Sequence, residues 1–165
     1  MKKHIINQRE FKNLVNKLCR DISNSDWRPD YIVGLTRGGL TPAVMISHYL
    51  DIPCHTLKVC LRDHEDTESN LWMTENAFDG KNILRVDDIN DSGATFNWIL
   101  NDWPSGCFPD DPRWKDLWND NVRFSVLFDN LASKCEVSMD YVGEEVNKAE
   151  NDIWLDFPYE EWWAK

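Results

Sequence analysis

Hydrophobic residues recur at three- and four-residue steps near the start of the chain and in short uninterrupted runs further on. The stepped pattern comprises Phe11, Leu14, Val15, Leu18 and Ile22, and it predicts one amphipathic helix. The runs predict buried strands, because strands covered by helices on both faces of a sheet are apolar along their length. We expect strands at Tyr31–Leu35, His55–Cys60, Ile83–Val86, Val122–Phe128 and Tyr141–Val146.

Polar and helix-breaking residues predict the connections near the first strands. Thr41 is typical of a helix N-cap and Pro42 of a first helical position, so we expect a helix that continues to Leu50. The segment from Arg62 to Phe78 is polar and acidic and has no clear period, which predicts a long flexible loop over about 62–78.

Later in the chain an apolar helical segment, Phe96–Leu100, follows the Ile83–Val86 strand. Asn101–Asn121 carries three prolines and a glycine among aromatic residues, which predicts an irregular connection with a short helix at Arg113–Trp118. Because strands and helices alternate, the sequence predicts an α/β fold with a mostly parallel twisted sheet and helices on both faces. We expect a single domain over residues 1–165.

The amino-acid composition argues against some classes of binding partner. The net charge is −11, from 18 basic and 29 acidic residues, which argues against nucleic acid. Five cysteines without C-x-x-C spacing predict reduced thiols, neither a disulfide framework nor a zinc site. The first residues lack the apolar core of a signal peptide and no run approaches membrane-spanning length. We therefore expect a cytoplasmic protein without a membrane partner.

Three acidic residues stand after the strand Ile83–Val86, where ligands bind in open α/β sheets. Asp87 and Asp88 end the strand, and Asp91 precedes a Ser92–Thr95 turn whose backbone N–H groups and hydroxyls suit a phosphate. Because carboxylates repel phosphate, the acids favour a ligand with hydroxyls or a metal at its other end, such as a sugar phosphate. The alternative is a strand-end metal or capping site in another doubly wound fold, with Ser92 as an ordinary N-cap.

This order of strand, acid-acid-x-x-acid and Ser-Gly-x-Thr resembles the 5-phosphoribosyl-1-pyrophosphate (PRPP) motif of type I phosphoribosyltransferases. The resemblance implies that fold, with a small C-terminal hood over about 130–160. It assigns the ribose hydroxyls and Mg²⁺ to Asp87 and Asp88, and a general-base role to Asp91. The 5′-phosphate is assigned to the segment Asp91, Ser92, Gly93, Ala94 and Thr95.

A second block follows the Tyr31–Leu35 strand. Two glycines there let the backbone approach a ligand closely, although Gly-Gly turns are also common structural hinges. With its neighbours the block resembles the pyrophosphate loop of xanthine-guanine and hypoxanthine phosphoribosyltransferases, where a non-proline cis peptide is typical. The resemblance assigns pyrophosphate binding to Thr36, Arg37, Gly38 and Gly39.

The tail Trp154–Tyr159 resembles the hood of bacterial xanthine-guanine enzymes, whose tryptophan stacks on the purine. The resemblance makes Trp154 and Asp156 base-binding residues; the alternative is that Trp154 fills an edge of the core. Related purine enzymes place a lysine after the strand equivalent to Val122–Phe128, where this chain has Asn130 and, further on, Lys134. We expect Asn130 to contact the base, oxopurine binding to be weak, and Asn130→Lys to improve it.

The resemblance therefore implies transfer of 5-phosphoribose from PRPP to guanine, xanthine or hypoxanthine, with Mg²⁺ as cofactor, in purine salvage. It also implies a homo-oligomer, either a dimer or a tetramer. Two alternatives stay open: a non-catalytic regulatory protein that binds PRPP or a nucleotide, and a transferase for another base such as orotate or adenine.

Overall fold

A five-stranded parallel sheet forms the centre of the computed structural model, which describes residues 1–59 and 70–165. Its strands are β2 (Tyr31–Thr36), β3 (Cys54–Lys58), β4 (Ile83–Asn90), β5 (Val122–Asn130) and β6 (Tyr141–Val146). They are arranged in the order β3-β2-β4-β5-β6. A separate parallel pair joins β1 (Lys2–Ile5) to β7 (Ile153–Asp156). Joining the two ends of the chain was not expected from the sequence, because neither segment has a strong strand pattern.

Helices cover both faces of the sheet, as predicted. They are α1 (Gln8–Asn24), α2 (Leu40–Leu50), α3 (Leu71–Phe78), α4 (Ala94–Gly106) and α5 (Trp114–Leu117), and a 3₁₀ turn follows at Trp162–Ala164. Buried side chains of α1 and α2 form one core with the sheet, and those of α3, α4 and α5 form a second core on the other face. The α/β prediction is confirmed.

The first helix has the face that its hydrophobic pattern predicts. Its buried residues are Phe11, Leu14, Val15, Leu18, Cys19 and Ile22. The helix begins after Asn7, whose side-chain oxygen accepts a hydrogen bond from the backbone N–H of Glu10 at 2.8 Å. Asn7 therefore satisfies one of the N–H groups that a helix start leaves without an intrahelical acceptor.

Several predicted boundaries differ from those of the structure: β4 continues to Asn90, β5 to Asn130 and α4 to Gly106, and two other helices also differ. The second helix starts at Leu40 after Gly39, not after Thr41, because the Gly39 carbonyl already accepts a helical hydrogen bond from Ala43 N–H at 3.0 Å. Residues 71–78 of the predicted loop form α3, which buries Met73, Thr74, Ala77 and Phe78. A helix of two turns shows too little periodicity to stand out in a polar segment. Residues 62–69 of that loop prediction lie outside the described residues.

The tryptophan-rich connection packs into the second core. Trp103 and Trp114 are buried, and α5 supplies the short helix that was predicted there. Trp162 and Trp163, in contrast, are mostly exposed near the end of the chain. Four cysteines among the described residues, Cys19, Cys54, Cys107 and Cys135, are free thiols, as expected. In the ranges 1–59 and 70–165 there is no helix with the length and hydrophobicity needed to cross a membrane.

Arg85 is a cation in the middle of β4 with 0% of its surface exposed. Its guanidinium carbon lies 3.4 Å from the ring centroid of Trp103, and burial lowers the pKa of Arg85 well below its ordinary value. Among the described residues, its three guanidinium nitrogens have no hydrogen-bond partner. The guanidinium therefore stacks on an aromatic face, and electrostatic interactions with Tyr31 and Asp102 offset part of the effect of burial on its pKa.

We expect Arg85→Met to raise the free energy of unfolding by about 1–3 kcal/mol, because a buried charge is replaced by an apolar side chain of similar length. Urea denaturation at neutral pH measures the change. Arg123→Met is the control, because Arg123 also lies over an aromatic ring, that of Trp27, but has hydrogen bonds to Asp120 and Tyr141. A loss of stability in the Arg85 variant larger than in the control would contradict the prediction.

Candidate active site

The carboxyl ends of β2, β4 and β5 meet at one edge of the sheet. Gly34 of β2 is paired with Val86 of β4, and Asp87 is paired with Val126 of β5. Parallel pairing in this register brings the residues after Leu35 and those after Val86 to the same edge. This is the edge at which open α/β sheets bind ligands.

Asp87 and Asp88 lie near this edge in the second half of β4, which continues to Asn90 instead of ending at the two acids as predicted. The Asp87 carboxylate accepts a hydrogen bond from the N–H of Asp88 at 2.9 Å, and the Asp88 carboxylate accepts one from the N–H of Ile89 at 2.8 Å. Burial, together with the charge of Asp88, raises the pKa of Asp87 well above its ordinary value. A divalent cation would offset two neighbouring carboxylates, and carboxylate oxygens are the ligands that Mg²⁺ prefers. The pair therefore fits Mg²⁺, although no cluster of three or more metal-ligating side chains occurs in the described ranges.

The Thr36–Gly39 loop lies directly against this acid pair. The peptide bond between Thr36 and Arg37 is cis, as the resemblance implied. A Cβ atom on Gly38 would overlap the Asp88 carboxylate, and one on Gly39 would overlap the Val86 carbonyl oxygen. Glycine is therefore required at both positions by the close approach of the loop to β4. The exposed Arg37 lines a cavity of about 540 Å³ with Gly38 and Asp88.

Tyr159 joins this group from the C-terminal tail, and the sequence analysis did not single it out. Its hydroxyl lies 2.9 Å from a carboxylate oxygen of Asp88 and 3.1 Å from the carbonyl oxygen of Gly38, so it can donate to either. Burial and the charge of Asp88 raise the pKa of Tyr159, which keeps the hydroxyl protonated as a donor. The tail is thus attached to both the acid pair and the glycine loop.

The turn before α4 has the shape of an anion-binding nest. Gly93 has a φ of 89°, and a Cβ atom there would overlap the backbone nitrogen of Cys135. The Ser92 carbonyl accepts a hydrogen bond from Lys134 N–H at 3.0 Å, and the Ser92 hydroxyl oxygen accepts one from Ala94 N–H at 3.2 Å. The first N–H groups of α4 point out of its N-terminus, where a phosphate is favoured.

Asp91 and Asn130 are neighbours, and a residue that the sequence analysis missed, Lys148, joins them. The Asn130 amide nitrogen donates to the Asp91 carbonyl at 2.9 Å, and its amide oxygen accepts from the N–H groups of Ala132 at 3.1 Å and Lys148 at 3.0 Å. The Lys148 ammonium lies 3.0 Å from the Asp91 carboxylate. No motif could reveal Lys148, because it lies 57 positions from Asp91.

We call the β1–β7 pair together with the tail after it the hood; of these residues, 153–160 lie in the range of about 130–160 for which a hood was predicted. Trp154 is 50% exposed and lines a cavity of about 450 Å³ with Lys3 and Asp156. Glu160 and Glu161 line this cavity and also the cavity beside Asp88, so the two cavities adjoin. Trp154 is therefore not a core residue, and its ring is accessible to a planar ligand.

Asp156 is buried at the end of β7 between two lysines. Its carboxylate lies 2.9 Å from the ammonium of Lys3 in β1 and 2.9 Å from that of Lys165 at the end of the chain. The hydrogen bonds from Lys165 and then Lys3 lower the pKa of Asp156 below its ordinary value. These ion pairs connect β1, β7 and the tail, and they engage the carboxylate that was predicted to contact the base.

We expect Asp156→Asn to lower the free energy of unfolding by about 1–3 kcal/mol at pH 7, because two charged hydrogen bonds are lost. A lowered pKa in the folded protein means that the stabilisation is present above the unfolded pKa of about 3.9 and is lost as the pH falls through the folded pKa. The difference between wild type and variant should therefore shrink in acid. Thermal unfolding from pH 3 to 7 measures it, with Asp152→Asn, at an exposed ion pair with the N-terminus, as control. A difference independent of pH would contradict this account.

The predicted site residues thus fall into three groups. The structure brings Asp88 into contact with the Thr36–Gly39 loop and with Tyr159. It places Asp91 and Asn130 beside Lys148, next to the Ser92–Thr95 turn. It places Trp154 and Asp156 in the hood, and no described contact joins either side chain to Asp91.

Comparison with known proteins gives the family. The phosphoribosyl transferase domain matches residues 2–160. A xanthine-guanine phosphoribosyltransferase of Cereibacter sphaeroides is 36% identical over 90 residues, which cover 52% of this chain and 53% of the relative. The match therefore spans about half the length of that curated relative.

Solved structures show the same fold at lower identity. A purine phosphoribosyltransferase from Pyrococcus horikoshii has a TM-score of 0.67 at 24% identity, covering 98% of this chain and 96% of that one. A xanthine-guanine-hypoxanthine phosphoribosyltransferase of Helicobacter pylori has a TM-score of 0.68 at 19% identity, with the same coverage. Since the domain match extends over nearly the whole sequence, this chain belongs to the phosphoribosyl transferase family.

Proposed function

We propose that the protein transfers 5-phosphoribose from PRPP to a 6-oxopurine, guanine, xanthine or hypoxanthine, and releases pyrophosphate in purine salvage. The observation that carries the proposal is the direct contact of Gly38 with Asp88 at the strand edge, next to the α4 anion nest. One ligand with a pyrophosphate, two hydroxyls and a terminal phosphate matches this arrangement. The named xanthine-guanine relative supports the class of base.

The binding roles follow from the chemistry of each group. Asp87 and Asp88 accept hydrogen bonds from the ribose hydroxyls and would hold Mg²⁺. The N–H groups and hydroxyls of Ser92, Gly93, Ala94 and Thr95 bind the 5′-phosphate, and the Thr36–Gly39 loop binds pyrophosphate with Arg37 as its cation. Bound Mg²⁺ supplies positive charge that offsets the leaving pyrophosphate.

The reaction breaks the bond between ribose C1 and a pyrophosphate oxygen, which leaves with the electron pair. A ring nitrogen of the purine donates an electron pair to form the new C1–N bond. The proton that the base loses is accepted by Asp91 as general base. Positive charge develops on the ribose in the transition state, and the carboxylates of Asp87 and Asp88 stabilise it.

The hood supplies the remaining contacts with the base. The exposed ring of Trp154 would stack on the purine, which contributes about 1–3 kcal/mol for a base on an aromatic platform. Base contacts of Asn130 and Asp156 stay predictions, as do the homo-oligomer and the cytoplasmic location. Mg²⁺ dependence is part of the proposal.

The test incubates the protein with PRPP and Mg²⁺ and with guanine, xanthine, hypoxanthine, adenine or orotate separately, and measures pyrophosphate release. We expect release with at least one 6-oxopurine and none without Mg²⁺. Pyrophosphate release with only orotate or only adenine would show that the protein uses another class of base. Binding of PRPP without release from any base would instead favour the regulatory alternative.

A further inference from the structure

We propose that Tyr159 is a positioning residue for PRPP binding, which holds the Asp88 carboxylate and the Gly38 carbonyl in the arrangement that the ligand requires. This inference rests on the proposed function and adds to it a residue of the C-terminal tail. Tyr159 acts through Asp88 and the Thr36–Gly39 loop rather than on the reacting atoms.

Both oxygens of the Asp88 carboxylate are held by donors from different parts of the chain. Oδ1 accepts a hydrogen bond from the backbone N–H of Ile89 at 2.8 Å, and Oδ2 accepts one from the Tyr159 hydroxyl at 2.9 Å. A carboxylate held at one oxygen can still turn about its last side-chain bond, whereas one held at both oxygens has a fixed plane. The Tyr159 hydroxyl therefore fixes the orientation of a side chain that we assign to the ribose hydroxyls and Mg²⁺.

The same hydroxyl also reaches the Thr36–Gly39 loop. It lies 3.1 Å from the carbonyl oxygen of Gly38, at the point where the loop leaves no room for a Cβ atom beside Asp88. One hydroxyl thus joins the two elements that we assign to pyrophosphate and ribose. Because it has a single hydrogen and two acceptors within reach, it can move its hydrogen bond to Gly38 when a ligand engages Asp88.

The ring of Tyr159 is fixed by aromatic side chains of the core that α1 and α2 form with the sheet. Its centroid lies 5.9 Å from that of Phe11 in α1, edge to face, and 5.6 Å from that of Phe157, in parallel planes. Phe11 and Phe157 are buried, and Phe157 packs in turn against Phe128 of β5. Since close-packed rings have little freedom, the core sets the position of the hydroxyl.

The backbone around Tyr159 forms a closed turn. The Phe157 carbonyl accepts a hydrogen bond from the N–H of Glu160 at 3.0 Å, and the Glu160 carboxylate accepts one from the N–H of Phe157 at 3.2 Å. The ammonium of Lys165 also donates to the Phe157 carbonyl at 2.6 Å. Contacts within the chain thus hold the segment that carries Tyr159, so the hydroxyl is pre-organised for its role.

The test is Tyr159→Phe, which keeps the ring and removes only the hydroxyl. Titration calorimetry should show Mg²⁺-dependent binding of PRPP weakened by about 10- to 100-fold, the usual effect of removing a group that orients a metal ligand. Steady-state kinetics should show the KM for PRPP raised by a similar factor, whereas kcat and the KM for oxopurine stay within about twofold of wild type.

Tyr141→Phe is the matched control. The Tyr141 hydroxyl also has hydrogen-bond partners, Ser25 and Arg123, but it lies at the start of β6, at the opposite end of the sheet. This variant should bind PRPP as wild type does. Thermal unfolding of both variants separates an effect on stability from an effect on binding.

A second test places Tyr159→Phe in an Asp88→Asn background. Because Tyr159 acts through the Asp88 carboxylate, the double variant should bind PRPP more tightly than the product of the two single losses predicts. A purely structural role of Tyr159 would leave the two losses independent.

Wild-type PRPP affinity in a folded Tyr159→Phe protein would overturn the inference and leave the transferase function intact. A lower kcat with an unchanged KM for PRPP would also overturn it, because Tyr159 would then act in the chemical step. An equal loss of affinity in Tyr141→Phe, or independent losses in the double variant, would do the same. If wild type itself binds no PRPP, the proposed function fails, and that result is seen before any variant is compared.

Discussion

Replacing Asp87 and Asp88 together by asparagine is expected to weaken Mg²⁺-dependent binding of PRPP by at least about 100-fold. Each carboxylate provides a charged hydrogen bond of about 1.5–3 kcal/mol, and the loss of two corresponds to two or more factors of ten in affinity. The asparagines keep the shape of the side chains against Gly38 and Tyr159. Titration calorimetry with PRPP and Mg²⁺ measures the loss.

The stability of this double variant should not fall. Burial and the neighbouring charge of Asp88 raise the pKa of Asp87, so the ionised form of that carboxyl group costs the folded protein stability that a neutral asparagine does not. Asp110→Asn with Asp111→Asn is the matched control, because it removes another adjacent acid pair in the connection between α4 and α5. Wild-type affinity in the Asp87 and Asp88 double variant would exclude this pair as the ribose and metal site.

Asp91→Asn is expected to lower kcat by about 10²- to 10⁴-fold while PRPP still binds, because an amide cannot accept the proton of the base. Pyrophosphate release at saturating PRPP and oxopurine measures turnover, and calorimetry measures PRPP binding.

Asp116→Asn, an identical substitution on α5, serves as the control and should retain full activity. A kcat close to that of wild type for Asp91→Asn at neutral pH would remove Asp91 as the general base. Loss of PRPP binding together with turnover would show that Asp91 acts in binding rather than in proton transfer.

Elements with a strong local pattern were predicted well from the sequence. The buried face of α1 and the apolar runs of β2, β4 and β5 were identified from the sequence. Burial on one or both faces of an element requires apolar residues at regular positions, and this spacing can be recognised. Strand β6 was predicted with its observed ends. Helix α3 was missed because two turns give too few periodic positions.

The paired strands of the hood are a different case. Strand β1 has only four residues, which are mostly exposed, and its partner β7 lies about 150 positions later. Short exposed strands acquire their hydrogen bonds from a partner elsewhere in the chain, and local sequence carries no sign of that partner. The ion pairs that the buried Asp156 forms with Lys3 and Lys165 were not predicted, for the same reason.

For the candidate site, the sequence by itself determined the parts that lie within one strand, turn and helix start. Asp87 to Thr95 and Thr36 to Gly39 are such segments, because local backbone geometry keeps residues that are neighbours in sequence close together. Tertiary structure alone decided that Gly38 touches Asp88, that Tyr159 donates to this pair, and that Lys148 meets Asp91. These contacts depend on strand register and on loops that return from distant positions, so their residues become neighbours only when the sheet is assembled.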